Sequence, residues 1–172
     1  MTIRLVIIGG GPGGNTAATW AARLGAEVTI IERDIMGGAA HLLDCIPSKA
    51  MIATGGAVSA TKRFAGMGLE QHVAEIDVDN LAERIDGIRT RLENTTTQLL
   101  DSQGIRMIRG EAIFIDPHTV LVRTTAGEER IEGDAFIIAT GSRPRIPQWC
   151  TPDGERILTT RECYPPKIFP QS

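Results

Sequence analysis

Aromatic side chains make up only 4% of this 172-residue chain, so its core has to be aliphatic. Cysteine is scarce as well. Cys45, Cys150 and Cys163 are odd in number and far apart, which excludes a secreted disulfide framework. The three histidines, His41, His72 and His118, are dispersed, and no Cys/His spacing suits a metal centre. A net charge of −3 leaves no basic block, so nucleic acid is not an expected partner. The opening apolar run, Ile3–Ile8, is far too short for a signal peptide or a membrane span. A cytoplasmic location is the expectation. With 42% apolar and 23% charged residues, the composition is that of a soluble globular chain long enough to bury a core.

What is abundant is glycine, 19 residues, and it is placed to a pattern. Ile3–Ile8 is rich in β-branched residues and reads as a buried parallel strand. GGGPGG follows, then the alanine-rich NTAATWAARLGA, a helix ending at Gly25. Val28–Ile31 is a second apolar strand closed by Glu32. This is a βαβ unit, and it carries Gly9-x-Gly11-x-x-Gly14 at its strand-to-helix turn. The first glycine of such a motif makes a tight turn, the second admits a pyrophosphate to the backbone, and the third lets helix and strand pack closely. The helix mouth supplies free N–H groups and partial positive charge. Pro12 and Gly13 lie within the same turn. Glu32 stands 18 positions beyond Gly14, near the spacing of an acid that accepts from ribose hydroxyls. A carboxylate there repels a 2′-phosphate, which favours FAD or NAD over NADP. Arg33, beside it, blurs that preference.

Beyond the βαβ unit, Gly37–Asp44 reads as a loop. A helix is predicted from Cys45 to about Phe64, with Pro47 in its first turn and Gly55-Gly56 in its middle. Asp77 or Asp79 caps the next helix, which runs to about Ser102. Leu81, Ile85, Ile88, Leu92 and Leu99 share one face of it, as a core-packing stripe or a dimer seam. Ile105–Ile108 is a short apolar strand. EAIFID, TVLVRT and EERIEG alternate apolar and polar residues between turn signals, as an antiparallel meander with one wet face does. Ala135–Ala139 returns to a fully apolar strand, followed by TGSRPRIP. The tail from Pro144 is irregular, with at most a helical turn near Thr160–Cys163. The fold class expected is α/β: a Rossmann-like domain with a central parallel sheet, a helical pair and an antiparallel β-meander.

GGGPGG, IIER, GGAAHLLDCIPSK and AFIIATGSRP occur in this order. In that arrangement the chain resembles the pyridine nucleotide–disulfide oxidoreductases, which include dihydrolipoamide dehydrogenase, glutathione reductase and mercuric reductase. The resemblance implies FAD as cofactor. It assigns Gly9, Gly11, Gly14 and Glu32 to the FAD fingerprint. Gly37 and Gly38, with Ala39 and Ala40, fall in the loop beside the pyrophosphate. Glu111 and Ala112 match the stretch near the adenine. Ala139, Thr140 and Gly141, with Ser142, match the segment that crosses close to the flavin. Lys49 matches the lysine beside the isoalloxazine ring.

One departure matters. The family pattern GGTCxxxGCxPSK carries two cysteines that form a redox disulfide. Here the first is Ala40 and only Cys45 remains. Thiol–disulfide exchange needs an attacking thiolate and a resolving thiol. Cys150 and Cys163 are expected to lie far off in the tail. The variant resembles an actinobacterial branch similar to NAD(P)H:quinone reductases, which implies hydride passing from NAD(P)H to FAD and on to a quinone or similar acceptor. The alternatives are a dihydrolipoamide dehydrogenase-type disulfide reductase using a thiol from elsewhere, and a non-catalytic dinucleotide-binding module.

Cys45 and Lys49 are the candidate catalytic residues. Cys45 at a helix N-terminus with Lys49 one turn on would favour a thiolate. An inert, space-filling cysteine is the competing reading. Lys49 can offset negative charge on a reduced ring or be a solvated helix lysine. His41 is a surface loop histidine or a proton donor. Residues 1–145 are expected to be the N-terminal part of an FAD-binding domain. Residues 146–172 are expected to link it toward a further NAD(P)H-binding domain, since Tyr164–Phe169 resembles the family's linker. The resemblance implies a homodimer at full length, and a 172-residue piece inactive by itself.

Overall fold

A computed structural model describes residues 1–64, 67–68, 74–167 and 169 of the chain. Ile168 and residues 170–172 of the expected linker lie outside the described residues. Two compact units emerge. One comprises residues 1–42 and 91–142, the other residues 43–90 and 143–172.

The first unit is built on a parallel sheet of β1 (Arg4–Ile8), β2 (Glu27–Glu32), β3 (Arg106–Arg109) and β7 (Ala135–Ile138), in the order β3-β2-β1-β7. Successive strand residues point to opposite faces, and here both faces are covered, which explains the unbroken apolar runs. Val6, Ile31 and Ile108 face Val120, Val122 and Ile131 of the meander. Ile7, Val28 and Ile30 face Ala18 of α1 (Pro12–Arg23), with Leu100 and Ile105. Ile7 and Ile30 are fully buried, each contributing about 1.5–3 kcal/mol relative to exposure. Alanines at 17, 18, 21 and 22 of α1 let it lie close to the sheet. The helix stops at Leu24, where Gly25 takes φ +86° and Ala26 donates back to the Ala21 carbonyl at 3.0 Å.

The meander is β4 (Glu111–Asp116), β5 (Thr119–Thr124) and β6 (Gly127–Glu132), all antiparallel. The Asp116 carboxylate accepts the His118 N–H at 2.7 Å and closes the first turn. That bond holds its carboxyl below the usual range. Val120 and Val122 are buried on one face, as the alternation predicts. β4 departs from the pattern. As one of the two edge strands, it leaves Ile113, Phe114 and Ile115 all partly exposed, while Phe114 meets Phe136 edge-on at 5.0 Å.

In the second unit α2 spans Ile46–Lys62 and continues through Gly55-Gly56. The helix α3 spans Val78–Ser102, with residues 78–90 in the second unit and residues 91–102 in the first. Asp77 is its cap: one carboxylate oxygen accepts the Asn80 N–H at 3.0 Å, the other the Asn80 amide at 2.6 Å. Leu81 and Ile85 are buried as the stripe predicts, but Leu99 is 52% exposed and Leu100 takes the core position instead. The inward position moves on by one residue at the end of α3. Its last turn packs Leu100 against Ile7, Ile30 and Ile105 of the sheet layer, so the inward direction there differs by the roughly 100° that separates consecutive helical residues. In the tail, Asp153 accepts the N–H groups of Glu155, Arg156 and Ile157, each at 2.9 Å. Thr160–Glu162 forms a turn and not a helix.

Candidate functional site

β1 lies between β2 and β7, so the chain reverses its direction of travel across the sheet there. Such a switch point opens a crevice at the carboxyl ends of the strands. The expected residues gather at that end. Gly9–Gly14 follows β1, Glu32 and Arg33 close β2, Glu111 and Ala112 follow β3, and Ala139–Ser142 follows β7.

Three loops interlock there through bare backbone. Gly9 has φ +112°, and a Cβ on it would sit 2.2 Å from the Ala139 carbonyl oxygen. Its N–H donates to the Ile31 carbonyl at 2.8 Å. A Cβ on Gly14 would meet the Gly9 oxygen at 1.9 Å. Gly38, at φ +80°, lies against Gly11, its notional Cβ 2.5 Å from the Gly11 Cα. Gly37 donates to the Gly10 carbonyl at 2.8 Å. Gly11 and Gly13 differ from these. The nearest atom to a Cβ on Gly11 is 3.8 Å away, and none lies within 4 Å on Gly13. The protein therefore fills the inner sides of the turn and leaves these outer faces open.

The charge pattern agrees with the shape. α1 begins with Pro12, Gly11 gives it no side-chain cap, and its first turn holds no acid. The first N–H groups of a helix have no intrahelical partner, so the positive end of α1 is left for an anion. Glu32 is half-buried and orients the loop from below, accepting the Gly10 N–H at 2.7 Å through Oε2 and the Asp34 N–H at 2.7 Å through Oε1. Each carboxylate oxygen keeps a second acceptor position suited to a hydroxyl. Arg33 pairs with Glu111 at 3.3 Å, which ties the two neighbouring strand ends together. Open glycine faces, an uncompensated helix terminus and a hydroxyl-accepting acid fit a dinucleotide diphosphate with its ribose.

The segment bearing Cys45 differs from expectation. Gly37–Asp44 is not all loop: Ala40–Cys45 forms a turn of π-helix that runs directly into α2, and Cys45 is itself helical at φ −67°, ψ −44°. Helical backbone thus already precedes the thiol. Cys45 and Lys49 are both exposed, and the three cysteines are free thiols. Pro47 is buried in the first turn of α2, and the Ser48 hydroxyl donates to the Cys45 carbonyl at 3.1 Å. Sequence reasoning missed Asp44. Its carboxylate lies 3.2 Å from the Arg161 guanidinium, so the tail reaches the Cys45 turn. An aspartate where the family pattern has glycine was the available signal. Among the described residues, no group of His, Cys, Asp or Glu could hold a metal, and no helix is long and apolar enough to cross a membrane.

Residues 3–164 match the family model for pyridine nucleotide-disulphide oxidoreductases. The chain belongs to that family. Among its relatives, "NAD(P)H dehydrogenase (quinone)" of Mycobacterium tuberculosis is 38% identical over 176 residues, covering 95% of the chain and 36% of the relative. "Dihydrolipoyl dehydrogenase 2" of Haloarcula marismortui is 35% identical over 170 residues, covering 97% and 36%. The crystal structure of LpdA from M. tuberculosis superposes with a TM-score of 0.84 at 36% identity, covering 95% of the chain and 37% of that protein. The flavoprotein disulfide reductase RclA from Escherichia coli does so at 0.69 and 26%, covering 86% and 30%. The chain thus spans about a third of the length of these family members.

Proposed function

We propose that the chain is the FAD-binding part of an oxidoreductase that passes a hydride from NAD(P)H through FAD to a quinone or similar acceptor, without a redox-active disulfide. The observation that carries this reading is the pairing of a dinucleotide cradle with a thiol whose exchange partner is replaced by Ala40. Bound FAD would supply the capacity to accept a hydride and release electrons.

In this reading the protein's own groups have separate tasks. Gly11, Gly13 and the α1 terminus hold the diphosphate, with Pro12 shaping the turn. Glu32 accepts from the ribose, and Arg33, Glu111 and Ala112 border the adenine. Gly37, Gly38, Ala39 and Ala40 flank the diphosphate, and Ala139, Thr140, Gly141 and Ser142 pass near the ring. The Lys49 ammonium offsets charge that builds on the reduced ring. Cys45 polarises the ring but does not exchange disulfides, because the position of the family's partner cysteine holds Ala40. The nicotinamide cofactor binds a part of the protein outside these 172 residues, and the whole protein works as a homodimer.

The similarity to a dihydrolipoyl dehydrogenase favours a second reading, disulfide reduction. Turnover by the protein at its full natural length separates the two. NAD(P)H oxidation with a quinone should exceed that with lipoamide or glutathione disulfide, and Ala40→Cys should raise the disulfide rates. Strong disulfide turnover by the unsubstituted protein would overturn the proposal.

A further inference from the structure

The Glu32 carboxylate is held by a turn that is itself held from the neighbouring strand. Glu32 Oε1 accepts the Asp34 N–H and Oε2 accepts the Gly10 N–H, both at 2.7 Å. Asp34 opens the turn that leads to the paired glycines. In it the Ile35 carbonyl accepts the Gly38 N–H at 3.0 Å, and Gly37 donates to the Gly10 carbonyl at 2.8 Å. Residues 34–38 thus join the acid at the end of β2 to the glycine turn after β1.

Arg109 grips the start of that segment. It is the last residue of β3 and stands opposite Glu32 in the register of β2 and β3. A guanidinium N–H of Arg109 donates to the Asp34 carbonyl. The Asp34 N–H is therefore bound by Glu32 and its carbonyl by Arg109. The base of the grip is fixed as well. Gly110, the next residue, donates to the Glu32 carbonyl at 3.0 Å, and a Cβ on it would stand 2.6 Å from the Arg123 carbonyl oxygen. Arg33, the other cation beside the turn, meets carboxylates instead, Glu111 at 3.3 Å and Asp34 at 3.7 Å.

We propose that Arg109 is a positioning residue for the ribose end of the dinucleotide site: it fixes Asp34, and through the Asp34 N–H it sets the direction in which Glu32 presents its remaining acceptor positions. A carboxylate oxygen that accepts one N–H keeps a second position, and a hydroxyl uses it only when the oxygen is aimed, because hydrogen bonds weaken steeply off-line. A charged donor makes the stronger bond to a carbonyl, which suits an exposed position such as that of Arg109. The inference deepens the reading that Glu32 accepts from the ribose, and rests on it.

The experiment titrates FAD into the protein at its full natural length, freed of flavin, with ADP and 2′-deoxy-ADP as competitors. The parent should prefer ADP about tenfold, the worth of one hydroxyl bonded to a charged acceptor. Arg109→Met keeps the length of the side chain without its donors, and should shrink that preference to about threefold or less. Arg109→Lys still carries a donor and should keep most of it. A merely structural role would weaken both nucleotides equally and leave the preference unchanged. Arg109→Met with the parent's preference, or Arg109→Lys no better than Arg109→Met, overturns the proposal while the ribose reading stands. A parent that binds no FAD, or that binds both competitors equally, overturns the ribose reading and the proposal with it.

Discussion

Gly14 lies so close to Gly9 that the first carbon of any side chain on it would stand 1.9 Å from the Gly9 carbonyl oxygen. A side chain on Gly11, three residues earlier, would meet only the Gly38 Cα, at an ordinary contact distance of 3.8 Å. The two glycines therefore serve different ends, one the packing of helix on strand and the other the approach of a ligand.

Alanine substitution separates those roles. Gly14→Ala forces backbone apart and should cost about 3 kcal/mol or more of stability. Gly11→Ala should leave stability within about 1 kcal/mol yet weaken FAD binding about tenfold or more, because its methyl group enters the diphosphate's space. Urea unfolding and flavin titration of the two variants check the pair.

The aspartate before β7 is held to the start of β1. Asp134 accepts from the Arg4 guanidinium at 2.8 Å and from the Arg4 backbone N–H at 2.8 Å. These bonds lower its carboxyl to about 2, against roughly 3.9 for a free aspartate. A lowered folded-state value means that the stabilisation is fully present above the free value and is lost as pH falls through about 2. Parent protein and Asp134→Asn should therefore differ by a constant urea midpoint above roughly pH 5 and converge near pH 2, with a smaller difference in high salt.

Leu99 and Leu100 test the course of α3. Leu100→Ala opens a cavity against Ile7 and Ile30 and should cost about 2–5 kcal/mol. Leu99→Ala removes an exposed side chain and should change stability by at most about 0.5 kcal/mol. Thermal or urea unfolding distinguishes them.

These contrasts show what the sequence makes legible. The βαβ unit and its glycines could be read because Gly9 and Gly14 answer local steric demands, and because strands covered on both faces carry unbroken apolar runs. The meander was readable from its alternation, except on β4, where an outer strand keeps apolar residues on its exposed side. Leu99 misled because a stripe at fixed spacing cannot show that Leu100, one residue on, is the one that joins the core of Ile7 and Ile30. The turn at Ala40–Cys45 was not readable, since AHLLDC carries no breaker and no cap, and whether such a segment coils into a π turn depends on what it joins. The Asp44–Arg161 pair joins residues far apart in the chain, and no periodicity announces such a contact.

Membership of the family and the geometry of the cradle meet in one claim: the glycine turn after β1 holds FAD. The most direct measurement is the visible spectrum of the purified protein at its full natural length, before and after incubation with FAD and desalting. The account predicts flavin absorption retained at one equivalent per chain, and its loss in Gly11→Ala. A protein that stays colourless after incubation, or a Gly11→Ala variant that retains flavin as well as the parent, would contradict it.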